Sequence, residues 1–572
     1  MPTLTWVGKD KVVNHHLDVP FRVLQHEQHY QAPQNTPANS TDNRIIHGDN
    51  LAALKSLLPE FEGKINCIYI DPPYNTGNES WVYNDAVNDP KIKKWLGQVV
   101  GKEGEDLSRH DKWLCMMYPR LKLLHRLLAK DGVIFISIGD AEQANLRLLC
   151  DEIFGQNKRL TTFIWRTDGN FDNQAKIKNC HEYILMYAKS PENFLHPNVV
   201  DPSIGENSKL NNPFIRNTIV KNGHKNPISE VELLAGFPTD FENGTILART
   251  NQYPHYDYDL VIKDGKLVNN VVAKTGWSSK SLLMDFIEKE FEPVLDTKGQ
   301  KTRFVITSTG AIESIKERDN PSHVISVISG VGSTQSQSAE LANMGFKFSF
   351  PKPTELINYL ISMHSNKSSI ILDSFAGSGT TAHAVLKLNA QDQGNRRFIL
   401  IEMEDYADTI TAERVRRVMS GYGEGTKQTA GLGGSFDYYT VGAAIFNADD
   451  TLNEAVGVEV IRDYVSYAEG IATEYRTPQN KHETLTASPP KDSQSSSFTS
   501  YLLGLSPETA WIFYYELDEV TCLDLDFLGT LKFGNQKPAT AIIYADKCLL
   551  TKEFLTKHGL IFKKIPRDIT RF

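Results

Sequence analysis

Asp71-Pro72-Pro73-Tyr74 is the first place in the chain where residue types and spacing could do chemistry. It ends the apolar run Ile65–Ile70, whose β-branched and aromatic content predicts a buried strand. Ligands of open α/β sheets bind beyond the carboxyl ends of strands. The chemistry that suits these residues is the holding of an exocyclic amine. Such an amine donates two hydrogen bonds. Asp71 can accept one, and the carbonyl of Pro72 can accept the other. The diproline stiffens both acceptors, and Tyr74 can stack on the ring that carries the amine. A plain proline turn after a strand would use the same residues, so the motif alone leaves both readings open.

A second group is Asp373-Ser374-Phe375-Ala376-Gly377-Ser378-Gly379-Thr380-Thr381. It lies between an expected strand, Ser369–Asp373, and an expected helix, Thr381–Leu388, which is the setting of a glycine-rich cofactor turn. Gly377 and Gly379 can adopt positive φ and let backbone approach a ligand closely. No Lys-Ser/Thr follows them, so the phosphate-gripping lysine of a nucleotide-triphosphate loop is missing. A structural tight turn is the alternative. Glu402 ends the next expected strand, Arg397–Glu402, where a carboxylate can accept from both hydroxyls of a ribose or cap the helix that follows. Asp49, in Gly48-Asp49-Asn50, can be the N-cap of a helix over Leu51–Leu58, a cofactor contact, or both.

These residues need a sheet to position them. From Arg44 the chain alternates strand and helix patterns: Arg44–His47, Leu51–Leu58, Ile65–Ile70, a helix from Trp113 to Leu128, then Val133–Ile138. That rhythm predicts a mostly parallel sheet covered on both faces. It stops near Ser190, where polar, Asn-, Ser- and Gly-rich sequence begins, and resumes near 345. The expected organisation is an irregular lead-in over 1–43, one half of an α/β domain over 44–190, an inserted region over 191–344 and the other half over 345–425. A connecting segment over 426–476, a serine-rich linker over 477–499 and a small α/β module over 500–572 follow.

Hydrophobic residues make up 40% and charged residues 23% of the 572, a globular composition that excludes a wholly disordered or fibrous chain. No apolar run is long enough for a membrane helix, and the first residues lack a secretory pattern, so a cytoplasmic protein with no membrane association is expected. The six cysteines form no CxxC pair and predict no metal site. Lys and Arg number 61 against 70 Asp and Glu, a net charge of −9. Any contact with phosphates must therefore use a local basic surface.

Asp-Pro-Pro-Tyr together with Phe-x-Gly-x-Gly-Thr-Thr resembles the amino-group DNA methyltransferases that use S-adenosyl-L-methionine. The tetrapeptide precedes the glycine loop by about 300 residues, from 71 to 373, which resembles the β-class permutation. Asp71-Pro72-Pro73-Tyr74-Asn75-Thr76-Gly77 and the long spacer resemble the modification subunits of type III restriction–modification systems. The resemblance implies a Rossmann-like methyltransferase domain, circularly permuted, with a target-recognition region in the insertion. It implies Asp71, Pro72, Pro73 and Tyr74 as catalytic residues. Asp49, Asp373, Phe375, Gly377, Gly379, Thr380 and Glu402 are implied to bind cofactor. In Phe350-Pro351-Lys352-Pro353-Thr354-Glu355-Leu356-Ile357, Lys352, Pro353 and Thr354 are implied to meet the cofactor's methionine part. His181-Glu182-Tyr183-Ile184-Leu185 resembles a late strand of the target-base half. The aspartate of the tetrapeptide favours adenine N6 as acceptor, since cytosine-N4 enzymes more often carry serine there. The implied reaction is direct methyl transfer to a base flipped out of double-stranded DNA. Implied partners are that duplex, a separate restriction subunit carrying helicase and nuclease, and a second copy of the chain. Arg249, Asn251, Gln252, Tyr253, His255, Tyr256 and Tyr258 form a polar and aromatic set that could include DNA contacts, though each singly is better read as an ordinary loop residue, and none is named as a site. Cytosine-N4 methylation, methylation of RNA or of a protein amide, and an inactive DNA-binding scaffold are the alternatives.

Overall fold

The structure is a computed structural model. It describes residues 3–76, 109–167, 176–205, 208, 211–212, 214–297, 299–317, 322–364, 366–477, 501–517, 519–566 and 568–569. The chain divides into two compact units, one of Met1–Leu195 with Val331–Phe572 and one of His196–Gly330.

The first unit is built on one large sheet. Its strands are β1 (Arg22–Gln31), β2 (Asn43–His47), β3 (Ile65–Ile70), β4 (Leu128–Ile138), β5 (Arg159–Arg166), β6 (His181–Ala188), β7 (Ile370–Asp373), β8 (Arg397–Glu402) and β9 (Ser435–Ala444). They lie side by side in the order β1-β9-β2-β8-β7-β3-β4-β6-β5. Neighbours from β9 to β4 are parallel. β1 on β9, β6 on β4 and β5 on β6 are antiparallel. Central parallel strands are covered on both faces, which is why β3 and β8 read as mainly apolar runs, with Asn66 inside β3 and Arg397 and Glu402 at the ends of β8. Ile68, Ile70, Ile134, Ile136, Leu372, Ile399 and Ile401 share one core. Against it pack α1 (Asn50–Phe61), α2 (Arg109–Leu127) and α3 (Asp140–Cys150); α4 (Thr354–Ser362), α5 (Thr380–Asp392) and α6 (Glu413–Ser420) follow in the later half. Asp49 starts α1 by accepting from the Ala52 amide at 2.8 Å.

Two expected boundaries are corrected. The lead-in over 1–43 contains β1, and the connecting segment over 426–476 contains β9, which lies between β1 and β2 within the sheet. β1 is hard to read because Gln25–His29 are exposed and two register shifts interrupt its pairing, so no apolar alternation survives. β9 does alternate, with Phe436 and Tyr438 buried. The rest of 426–476 also belongs to a core. Ile461, Tyr464 and Val465, from the helix Val458–Ala468, pack with Leu503, Phe513 and Tyr544 of the C-terminal module. In that module Thr509–Phe513, Thr540–Ala545 and Leu560–Lys564 are parallel neighbours. The expected linker, from 478 onward, lies outside the described residues.

The second unit falls inside the expected insertion, but it is not irregular. It has a four-stranded antiparallel sheet of Val294–Leu295, Lys301–Ile306, Ile312–Glu317 and Phe214–Thr218, with two three-stranded sheets beside it. Leu233, Phe237, Tyr256, Trp277, Phe286 and Phe304 fill its core. Short strands with one wet face dilute the apolar signal, as in Leu260–Lys263, which alternates buried and exposed. Two of the suggested DNA-contacting residues serve this fold. Arg249 donates to the carbonyls of Pro254, Thr309 and Gly310 at 3.1, 2.8 and 3.1 Å. Buried Tyr256 donates to Gly310 O at 2.8 Å. Tyr253 stacks on His255 at 4.1 Å and, like Tyr258, is exposed. The helix Thr334–Asn343, expected within the insertion, belongs to the first unit.

Candidate active site

β3 and β7 are neighbours, with Cys67 opposite Ile371 and Ile68 opposite Leu372. Asp71-Pro72-Pro73-Tyr74 and the glycine loop therefore leave the same edge of the sheet side by side, although far apart in sequence. β8, carrying Glu402, lies on the other flank of β7.

Asp71 is buried, and its two oxygens differ. Oδ2 accepts from Lys352 Nζ at 2.9 Å, whereas Oδ1 is buried and has no hydrogen-bond partner among the described residues. Tyr74 OH donates to Glu182 Oε2 at 2.7 Å, Lys352 Nζ stands 3.4 Å from the same oxygen, and the ammonium lies 4.8 Å from the centre of the Tyr74 ring. Burial raises the Asp71 carboxyl above its ordinary range, with Lys352 pulling the other way. Burial also opposes the Lys352 charge, but the facing Asp71 and Glu182 carboxylates outweigh it and hold the ammonium charged. The diproline is fixed from below: Trp113 of α2, fully buried, donates Nε1–H to Pro73 O at 2.7 Å, and Pro72 is buried. Asn75, at φ +55°, is held by Glu142 and by Arg109 O. We expect Trp113→Phe to keep most of the packing while lowering turnover, because the Pro73 carbonyl loses its anchor; a folded variant with wild-type single-turnover rate would show the anchor to be dispensable.

The glycine loop is organised by carboxylates. Asp373 accepts from Thr381 Oγ1 at 2.5 Å and from the Phe375 amide at 3.0 Å. Glu402 accepts from the Gly377 amide at 2.7 Å and the Glu404 amide at 3.0 Å, one on each oxygen. The Tyr406 hydroxyl donates to the same carboxylate. Gly377 and Gly379 have φ of +51° and +81°. Phe375 is partly buried against the main core. Burial pushes both the Asp373 and Glu402 carboxyls up to about 7. Asp49, besides capping α1, stands 3.5 Å from the buried Arg120. The adjacent Asn50 donates to Ser374 O at 3.3 Å, which ties the start of α1 to the loop. Two bonded glycine-loop carboxylates and glycines at positive φ fit a nucleoside-type cofactor.

Four of the expected cofactor residues have roles within the protein itself. Lys352 bonds Asp71. Pro353 is the N-cap of α4, and Thr354 donates twice to Gln337 Oε1, at 2.8 and 2.9 Å. Thr380 Oγ1 accepts from Arg414 at 2.8 Å. That arginine, fully buried on α6, also donates to Ser378 Oγ at 2.8 Å. Sequence reasoning missed Arg414, since a basic residue in a charged helix signals a wet face, and it missed Trp113 among many apolar neighbours. Glu182 stood in a singled-out segment but carried no assigned role.

The DNA methylase family profile matches residues 65–413, more than half of the chain, from the first residue of β3 to the first of α6. The chain belongs to this DNA methylase family. The match takes in the tetrapeptide, the inserted unit, the glycine loop and Glu402. Among curated proteins, the chain is 33% identical over 435 residues to the type III restriction–modification enzyme EcoPI Mod subunit of Escherichia phage P1, across 70% of this chain and 64% of that one. It is 30% identical over 436 residues to the EcoP15I Mod subunit of Escherichia coli, with the same coverages of 70% and 64%. To the type II methyltransferase M.KpnI of Klebsiella pneumoniae it is 28% identical over 375 residues, covering 64% of this chain and 82% of that enzyme. The chain thus spans just under two thirds of the length of the two Mod subunits.

Proposed function

We propose that this methylase transfers a methyl group from S-adenosyl-L-methionine to N6 of adenine in double-stranded DNA, as the modification subunit of a type III restriction–modification system. One observation carries the reading. A buried carboxylate oxygen with no partner among the described residues, Asp71 Oδ1, stands beside a loop fitted for a nucleoside. Similarity to the two Mod subunits supports the system, and the proposed partners follow from it: a restriction subunit and a second copy of the chain. The tetrapeptide strand precedes the glycine-loop strand in sequence while lying beside it in the sheet, which supports a β-class circular permutation. The unit His196–Gly330 is the target-recognition region in this reading. Among the described residues no helix is long and apolar enough to cross a membrane, and a cytoplasmic location is part of the proposal.

When bound, S-adenosylmethionine supplies an electrophilic methyl group on its sulfonium. The chain's own residues do the rest. Asp71 Oδ1 accepts one N–H of the flipped base, and the Pro72 carbonyl accepts the other. The lone pair of N6 is thereby aimed, and the carboxylate offsets the positive charge that develops on nitrogen. Tyr74 stacks on the base. Glu402 accepts from the ribose hydroxyls, and the glycine loop admits the cofactor's body. Incubating the protein with labelled S-adenosylmethionine and either duplex DNA, RNA or protein tests the reading. N6-methyladenine in DNA is expected; N4-methylcytosine, or label in RNA or protein alone, would overturn it.

Two further outcomes are expected. Ribose hydroxyls favour the ionised form of Glu402, so cofactor affinity should rise from pH 6 to pH 8, and binding near pH 7 should release protons. Calorimetry in buffers of differing ionisation enthalpy measures both. The same raised carboxyls set the stability of the cofactor-free chain: their contribution is full below about pH 4 and is lost as pH rises through about 7. Exchanging the unit at 196–330 for that of a relative should change the DNA sequence methylated while leaving cofactor affinity in place. An active chimera with unchanged recognition would move the reading function elsewhere in the chain.

A further inference from the structure

Lys352 stands where three elements meet: the segment leading into α4, the turn after β3, and β6. Its side chain is 8% exposed, and among the described residues its ammonium has Asp71 Oδ2 at 2.9 Å, Glu182 Oε2 at 3.4 Å and the Tyr74 ring at 4.8 Å. An ammonium has three donors and no acceptor; one bonds Asp71, and the Glu182 carboxylate and Tyr74 ring lie within reach of its charge. Tyr74 OH donates to the same Glu182 oxygen that Lys352 approaches. The carboxylate of Asp71 is thereby made unsymmetrical, with one oxygen gripped and the other buried without a partner among the described residues.

We propose that Lys352 is a positioning residue for the reaction rather than a ligand of the cofactor: it grips one oxygen of Asp71 so that the other faces the amine, and Glu182 fixes both Lys352 and Tyr74 in that arrangement. This rests on the reading of Asp71 as the amine acceptor. The two carboxylates and one ammonium leave the cluster with a single negative charge, on the side where the amine becomes positive. Preorganised charge aimed at the transition state acts at no cost of reorganisation during the step. Without the ammonium, Asp71 could turn about its side-chain bond and present either oxygen.

Among the described residues, the groups facing Asp71 are Lys352, Glu182 and Tyr74, together with Tyr69 of β3 and Asp373 at the end of β7. Lys352 is the sole cation among them. Removing it should therefore let Asp71 protonate at higher pH.

The test compares wild type with Lys352→Met and Lys352→Arg. Single-turnover methylation is followed from pH 5 to pH 9, and cofactor affinity is measured by calorimetry on the same preparations. Lys352→Met should bind cofactor within about threefold of wild type, slow transfer at neutral pH by at least about tenfold, and move the acid limb of the rate upward by about one pH unit, which is tenfold in proton concentration. Lys352→Arg keeps the charge and should return the limb toward its wild-type position, even if misplaced geometry leaves the rate low. A Lys352→Met protein that loses cofactor affinity in proportion to rate, with its limb unmoved, would make Lys352 a cofactor ligand and overturn the proposal. If wild type methylates no nucleic acid, the function reading has failed, and the positioning claim is then decided without activity. In protein labelled with carbon-13 at aspartate carboxyls, the signal absent from Asp71→Asn should titrate at higher pH in Lys352→Met than in wild type; equal titration would overturn it.

Discussion

Asp71→Ala should leave cofactor affinity close to wild type and slow methyl transfer by about 10²–10³, the usual effect of losing one preorganised polar contact to the reacting group. Loss of the lone-pair alignment adds to that. The glycine loop and Glu402 are untouched by the change, because Asp71 makes no hydrogen bond to either. Lys352 keeps Glu182 as a counter-ion at 3.4 Å, so the variant should fold. Asp71→Asn is the finer probe. Its carbonyl can still accept a hydrogen bond, but it offers no charge to the developing cation, and its amide can turn a donor toward the amine. It should be severely impaired, though less than alanine. Binding to duplex DNA should persist in both. Single-turnover transfer to a duplex carrying the recognition site, with product nucleosides resolved by mass, gives the rate. A near wild-type rate in Asp71→Ala would remove this carboxylate from the chemistry.

The second large effect is expected at the glycine loop, where the two glycines should behave differently. At Gly377, φ +51°, an added Cβ would meet the Phe348 ring at 3.4 Å, an ordinary contact. Gly377→Val should therefore fold, with the backbone strain of a β-branched residue at positive φ costing about 1–3 kcal/mol, and lose cofactor affinity by about 10² or more as the amide bonded to Glu402 is displaced. At Gly379, φ +81°, the Cβ would come within 3.1 Å of Thr411 O, a backbone atom that cannot swing aside. Gly379→Val should lose stability as well as binding. Calorimetry with S-adenosylmethionine and thermal unfolding separate the two. Equal cofactor affinity in Gly377→Val and wild type would refute the loop assignment.

The parts of this protein that were legible in its sequence share one physical property: burial on both sides. β3 and β8 have the same limits in the structure as in the sequence reading, Ile65–Ile70 and Arg397–Glu402, because a central parallel strand is mainly apolar. The tetrapeptide and the glycine loop could be placed at strand ends because each directly follows an apolar run. Elements at the margins were not. β1 presents Gln25–His29 to solvent, and the strands of the second unit mix buried and exposed positions over stretches of two to six residues. The division of labour inside the site was also hidden. Spacing can bring Lys352 near the glycine loop in sequence, but only the fold sets it 2.9 Å from a carboxylate 281 positions earlier. Arg414 is concealed for the opposite reason: its helix reads as charged and wet, yet the side chain is inside, bonded to Ser378 and Thr380.

The pairing of β3 with β7 also bears on how the protein is made. Cys67 and Ile371 are register partners on adjacent strands, yet about 300 residues of chain must be synthesised between them. At roughly 5–20 residues per second, the apolar edge of β3 waits about 15–60 s for its partner after leaving the ribosome. An unpaired edge of this kind is open to strands of other chains throughout that interval. Closing a longer loop adds little free energy, about 0.6 kcal/mol for each doubling of its length. Longer or shorter segments between the halves should thus be tolerated at equilibrium, while soluble yield should fall with insertion length and recover on slower, cooler expression or with more chaperone. The two halves made as separate chains should reassemble around the same seam, with β7 finding β3 by collision instead of by tether.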